Sequence, residues 1–294
     1  TAVTPPTCPP PDPDTKTPKL KAPPGACDTH CHVFGPAAKY GFAPVRRYTP
    51  PDCVLEDYLR MARTIGIERT VLVNASCHGT DNRPTLDAIA QAGDNFRGVA
   101  VVAEDVSDAE LARLHDGGMR GLRLNTRSSS GGVGTEHLET LAARIADMGW
   151  AVELHLHGAD QLAAMLPRLG KLRINYIIDH FGGTRAGQGV DCPAFQALLA
   201  LLRDSDLAWV KLASFYRLSD DGSEDWADMA PLARALIEAR PDRLIGGSNW
   251  PHPNYHKTMP NEGDLLDAIG DWTSDEDIQR MILSHNPARL FGFD

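Results

Sequence analysis

Asp28-Thr29-His30-Cys31-His32 sets two imidazoles one residue apart. Alternate side chains of an extended strand share a face, so His30 and His32 converge on one spot. Such a pair can hold a metal, polarise a carbonyl or move a proton, provided other elements deliver partners to the same place. Further polar side chains recur where apolar runs end: Asn74, Ser76 and His78; Arg123, Asn125 and Arg127; Glu153, His155 and His157; His180; Lys211, Ser214 and Arg217; Ser248, Asn249 and His252.

The elements that carry these residues alternate. After the opening strand and a long polar loop from Gly35 to Pro51, which contains Arg46-Arg47-Tyr48, the periodicity predicts a helix over Cys53 to Ile65 and a strand over Thr70 to Asn74. The unit then repeats, with strands predicted at Phe96 to Val102, Met119 to Asn125, Trp150 to His157, Arg173 to His180, Leu207 to Ser214 and Arg243 to Asn249, nearly all followed by helical patterns. Eight strand–helix units call for the closed parallel (β/α)8 TIM barrel, whose chemistry sits at the C-terminal ends of the strands. No G-x-G-x-x-G follows the first strand, which argues against the doubly wound alternative.

The 294 residues suit one such domain over 25–294, preceded by a Pro-rich extended arm over 1–24 that is expected to carry no catalytic residue. A net charge of −10 argues against nucleic acid or an anionic membrane as partner. No apolar run is long enough to span a bilayer, and no signal peptide opens the chain, so a cytoplasmic protein is expected. Six scattered cysteines fit reduced thiols, and Cys31 is expected to point away from His30 and His32 into the packing.

Two chemistries suit the rim. Imidazoles from the first, fifth and sixth strands (His30, His32, His155, His180) are raw material for a Zn or Mn site that activates water. Arginines from the fourth and seventh strands suit a carboxylate-bearing substrate. An anionic lactone gripped by arginines and attacked by water would use both.

Asp28-x-His30-x-His32, Asp179-His180 and Trp250-Pro251-His252-Pro253 together resemble the amidohydrolase superfamily. Within it, Pro24-Gly25-Ala26 running into His30-Cys31-His32-Val33-Phe34-Gly35-Pro36, the loop Ala75-Ser76-Cys77-His78-Gly79-Thr80-Asp81-Asn82 and the Asn286-Pro287 turn are similar to the 2-pyrone-4,6-dicarboxylate lactonases. The resemblance implies an amidohydrolase-type barrel that opens a lactone in aromatic-compound catabolism without a required metal. It implies an Asp general base at the end of the eighth strand, and active-site positions at His30, His32, His180, Tyr48, Ser76, His78, Arg123, Arg217 and Asn254.

This chain departs from the pattern. Asn249 stands where the family has Asp, and a carboxamide cannot take a proton at neutral pH. It is read as an engineered Asp-to-Asn substitution that stops the reaction while leaving ligand binding intact. His155 replaces a Tyr, Gly183 an Arg, and Arg127 matches a further loop Arg only loosely; these changes leave the exact lactone open and raise the case for a divalent metal. A metal-dependent decarboxylase of the same superfamily is the second reading, and a non-catalytic lactone-binding protein in which Asn249 is natural is the third. His115 and His137 are expected on solvated faces, His285 as a capping or surface group, and Lys211 in a structural role.

Overall fold

Short β-branched and leucine-rich runs such as Thr70-Val71-Leu72-Val73 can bury both faces only inside a parallel sheet covered by helices. The computed structural model, which describes residues 4–126 and 133–294, shows eight such strands: β1 (Cys27–Cys31), β2 (Arg69–Val73), β3 (Phe96–Ala100), β4 (Met119–Asn125), β5 (Ala151–His155), β6 (Tyr176–Ile178), β7 (Ala208–Leu212) and β8 (Leu244–Gly246). They pair in chain order, all parallel. Beyond β8 the ring closes onto β1: Asn249 N donates to His30 O at 2.7 Å, and His32 N to Trp250 O at 2.8 Å. Gly247 allows this approach, since a Cβ there would stand 2.7 Å from that of His30.

The helices α1 (Leu55–Ile65), α2 (Arg83–Ala92), α3 (Asp108–Asp116), α4 (Leu138–Ile145), α5 (Ala159–Leu169), α6 (Pro193–Asp204), α7 (Ala230–Ala239) and α8 (Glu262–Trp272) form the outer layer, followed by α9 (Glu276–Arg280) and α10 (Asn286–Phe291). Ser107 caps α3 through Glu110 N, and Asn261 caps α8 through Gly263 N. Leu290, Phe291 and Phe293 pack with Val71, Val99, Ile177, Trp209 and Ile245, plugging the barrel at the end opposite the polar rim. No helix among the described residues is long and apolar enough to cross a membrane.

The strands β6 and β8 are shorter than their apolar patterns predict. His180 and Phe181 take positive φ directly after Asp179, and Asn249 does so after β8, so the chain turns into loop as soon as it reaches the rim. Residues 4–24 form no helix or strand beyond an isolated bridge at Thr7, yet they are tied down. Cys8 N donates to Thr49 O at 3.0 Å, and the buried Cys8 Sγ accepts from Asn254 N at 3.1 Å. Farther along, Asn261 reaches Asp12 and Asp14, and Asp267 accepts from the backbone of Lys19 and Leu20. The arm therefore braces Thr49 and Asn254, which belong to two loops of the rim.

Candidate active site

The β1 register shifts between Asp28 and Cys31, so this strand does not alternate simply. Asp28 turns away from the barrel interior: it accepts from Ser248 N, Ser248 Oγ and Tyr58 Oη, and thereby fixes the start of the loop that carries Asn249. Cys31 also points outward, its Sγ 3.7 Å from Val71 O. His30 turns inward onto a charged floor. Lys211 of β7, fully buried, contacts Glu153 of β5, lies 3.0 Å from His30 Nδ1 and stands 3.6 Å from Asp179. Arg123 of β4 approaches the other Asp179 oxygen at 3.6 Å.

Proton placement on this floor follows from the donors. An ammonium can only donate, so His30 Nδ1 accepts from Lys211 and the single imidazole proton lies on Nε2. Burial, with Lys211 next, holds the His30 pKa well below its ordinary value, and Nε2 has no partner of its own. Lys211 thus makes His30 a neutral N–H donor. Burial and the neighbouring Glu153 carboxylate push Asp179 up to about 7.

Above the floor lies a cavity of about 490 Å³. His32, Tyr48, Ser76, Arg123, His155, His180, Arg217, Asn249 and Asn254 lie on its wall, together with Arg47, Asn125, His157 and Arg185. His32 Nδ1 must donate to the Val73 carbonyl at 2.7 Å, which leaves Nε2 bare beside Asn249. Burial, then the Arg123 charge, lowers His32 to about 3 and holds His155 and His180 well below the ordinary imidazole range. These rings are neutral at pH 7. Arg123 reaches His155 Nδ1 at 2.9 Å, while His157 Nε2 meets Asn125 Oδ1 at the same distance nearer the mouth.

Two sequence candidates, His30 and His78, are not on this wall, and His30 is fully buried in the floor beneath it. His78 is buried behind the wall, its Nδ1 on Gly41 O and its ring stacked on Phe42, where it anchors the loop carrying Tyr48. Arg127 lies outside the described residues. His115 is half-buried rather than free in solvent: Trp150 Nε1 donates to its Nδ1 at 2.9 Å and the rings stack. Gly183 has positive φ, and a Cβ there would stand 2.7 Å from Leu156 O and Gly158 N, so no side chain fits. Nearby Arg185 instead pairs with Asp220 and donates to Arg217 O.

Residues 27–293 match the family model described as amidohydrolase. The chain belongs to that family. Among its relatives, this amidohydrolase is 39% identical to a 4-sulfomuconolactone hydrolase of Hydrogenophaga intermedia, over 92% of this chain and 89% of that one. It is 37% identical to a 2-pyrone-4,6-dicarboxylate hydrolase of Comamonas testosteroni, over 93% and 92%. Among solved structures it is similar to a probable 2-pyrone-4,6-dicarboxylic acid hydrolase of Acinetobacter baumannii with citric acid bound, at TM-score 0.79 and 28% identity over 92% of this chain and 100% of that one.

Members of the amidohydrolase superfamily often hold a divalent metal, and this amidohydrolase has a His/Asp/His group whose ligand atoms lie within 4.8 Å of one another: His30, Asp179 and His180. Asp179, not His155 or His32, completes it. By donor type the group fits a metal, and both Asp179 oxygens and His180 Nδ1 lack hydrogen-bond partners. The surrounding charge does not fit one. Lys211 and Arg123 already face Glu153 and Asp179, two cations against two carboxylates, and a dication would leave this dry floor with an excess of two positive charges.

Proposed function

We propose that the protein hydrolyses a small lactone bearing at least two anionic groups, with water attacking the ring carbonyl. The observation that carries this reading is cationic: in a chain of net charge −10, Arg47 and Arg217 face the cavity with no carboxylate partner among the described residues, and Arg123 lies between them and the floor. Arg217 is held in place by Pro253 O and by the faces of Tyr216 and Tyr255, which leaves its charge for a ligand. The relatives named for sulfonated and dicarboxylated lactones support the same class, as does the citric acid bound in the Acinetobacter protein.

In this reading the arginines hold the anionic groups at the mouth and aim the ring inward. His30 Nε2–H, fixed by Lys211, donates to the carbonyl oxygen and to the oxyanion that forms there, with His180 at a ring distance of 4.6 Å completing the pocket. Water is held against position 249. Zn or Mn on His30, Asp179 and His180 is not part of this chemistry, because the charge balance disfavours it; purified protein is expected to contain well under one equivalent of metal and to keep its activity in a chelator. The six cysteines are all free thiols, which supports a cytoplasmic setting.

Loss of ring absorbance with 2-pyrone-4,6-dicarboxylate and with a sulfonated muconolactone, followed in the Asn249→Asp protein beside the unaltered chain, tests the activity directly. Arg217→Met is expected to raise KM by about 10- to 100-fold, the cost of one charged hydrogen bond, with a smaller change in kcat. Carbon dioxide release without base consumption would instead establish the decarboxylase.

A further inference from the structure

Behind Asn249 a line of polar groups runs away from the cavity through fully packed protein. Asn249 Nδ2 donates to Tyr216 Oη at 2.9 Å, Tyr216 Oη meets His252 Nδ1 at 2.7 Å, and His252 Nε2 meets Glu262 Oε1 at 2.7 Å. All four side chains are buried, His252 completely, and Glu262 Oε2 has no partner. Burying a carboxylate with one neighbour is costly, and packing alone does not require it. Glu262 is the first residue of α8, where the positive end of the helix dipole favours a negative charge.

The donors give the line a direction. An ionised Glu262 only accepts, so the His252 proton lies on Nε2. His252 Nδ1 is then bare and accepts the Tyr216 hydroxyl hydrogen, and the Tyr216 oxygen accepts from the Asn249 amide. Because the amide nitrogen faces Tyr216, Asn249 Oδ1 lies on the other side of the carboxamide, toward the cavity wall that Asn249 lines. We propose that Glu262, His252 and Tyr216 are positioning residues, a hydrogen-bond relay whose direction is set by residue 249 and which orients that residue's oxygen toward the attacking water. This rests on the lactonase reading for its catalytic meaning, but not for its proton positions.

A carboxylate at position 249 reverses the relay. It has no hydrogen to give, so the Tyr216 hydroxyl turns to it, and the Tyr216 oxygen then faces His252 Nδ1 as an acceptor. The contact survives only if one proton, taken from solvent, settles on Nδ1 between Tyr216 and the Glu262 carboxylate. The other charged or titratable groups at Tyr216 are Arg217 and Tyr255, neither of which touches His252 in a hydrogen bond.

Nitrogen-15 NMR of the histidine side chains, with His252 assigned by loss of its signals in His252→Gln, reads this without any substrate. With Asn249 present, Nε2 is expected to carry the proton and Nδ1 none; in the Asn249→Asp protein Nδ1 gains one. A protonated Nδ1 beside Asn249, or an unchanged ring in the Asn249→Asp protein, overturns the relay. Should that variant not fold, Tyr216→Phe on the unaltered chain removes the donor to Nδ1 and is expected to move its shift toward that of an unbonded ring; no movement overturns it. For catalysis, Tyr216→Phe added to Asn249→Asp is expected to lower kcat about tenfold with KM within twofold, and to raise the acid limb of the pH profile by about one unit, the loss of one hydrogen bond to a charge. An unmoved limb refutes the positioning role. If Asn249→Asp hydrolyses no lactone while the ring shifts as expected, the lactonase reading fails and the relay stands.

Discussion

Asn249→Asp is expected to raise the turnover of an anionic lactone by about 10²- to 10⁴-fold, the usual contribution of a positioned general base. The carboxamide already occupies the wall of the cavity, held at positive φ by the turn after β8 and by Asn249 N on His30 O. It can hold water through Oδ1 but cannot accept its proton. A carboxylate of the same shape can, and it changes its neighbours in a measurable way. His32, lowered to about 3 by burial and the Arg123 charge, would face a negative charge in place of an amide, and its pKa should climb toward the ordinary imidazole value. The sign follows: a neutral buried imidazole contributes stability above about pH 6.5 that is lost as pH falls toward 3, and raising its pKa removes part of that acid-side loss. Initial rates across pH, with the His32 titration followed by NMR, check both effects. A rate unchanged within twofold would place the base elsewhere.

The barrel could be read from the chain because each strand is an apolar run followed by a helix-period segment, and the rim because polar residues end those runs. Height along a strand was harder to read. Glu153, His155 and His157 share a face by alternation, but only the structure separates Glu153 on the floor from His157 near the mouth. Lys211 reads as structural for the same reason: nothing local to β7 says that its ammonium meets β1, β5 and Asp179 at once. The β1 register shift turns Asp28 out of the barrel, which alternation cannot foresee. The arm offered no signal either, since Cys8 meets Asn254 across 246 positions. Tyr216, His252 and Glu262 come from three segments, and only the turn after β8 aligns them.

Lys211→Met is expected to destabilise the fold by about 3–5 kcal/mol, the usual cost of stripping one partner from a buried ion pair. Lys211, Glu153 and Asp179 are each fully buried, so neither carboxylate can turn to solvent when the ammonium is gone. The loss should depend on pH with a definite sign. Asp179 is already pushed up to about 7 by burial and Glu153, so its contribution is fully present below about pH 4, the unfolded carboxylate value, and is lost as pH rises through 7. Without Lys211 the charged form is worse still, and the difference from the unaltered protein should widen between pH 6 and 8 and narrow toward pH 5. Glu153→Gln combined with Lys211→Met removes one carboxylate along with the cation and should recover part of the loss, a coupling expected for groups in contact. Denaturant unfolding at several pH values measures all three quantities. A pH-independent loss would mean that Lys211 acts by filling space. The His30 tautomer supplies a second readout: with no ammonium to hold Nδ1 as acceptor, its proton is free to move from Nε2, and carbonyl polarisation should weaken even where the fold persists.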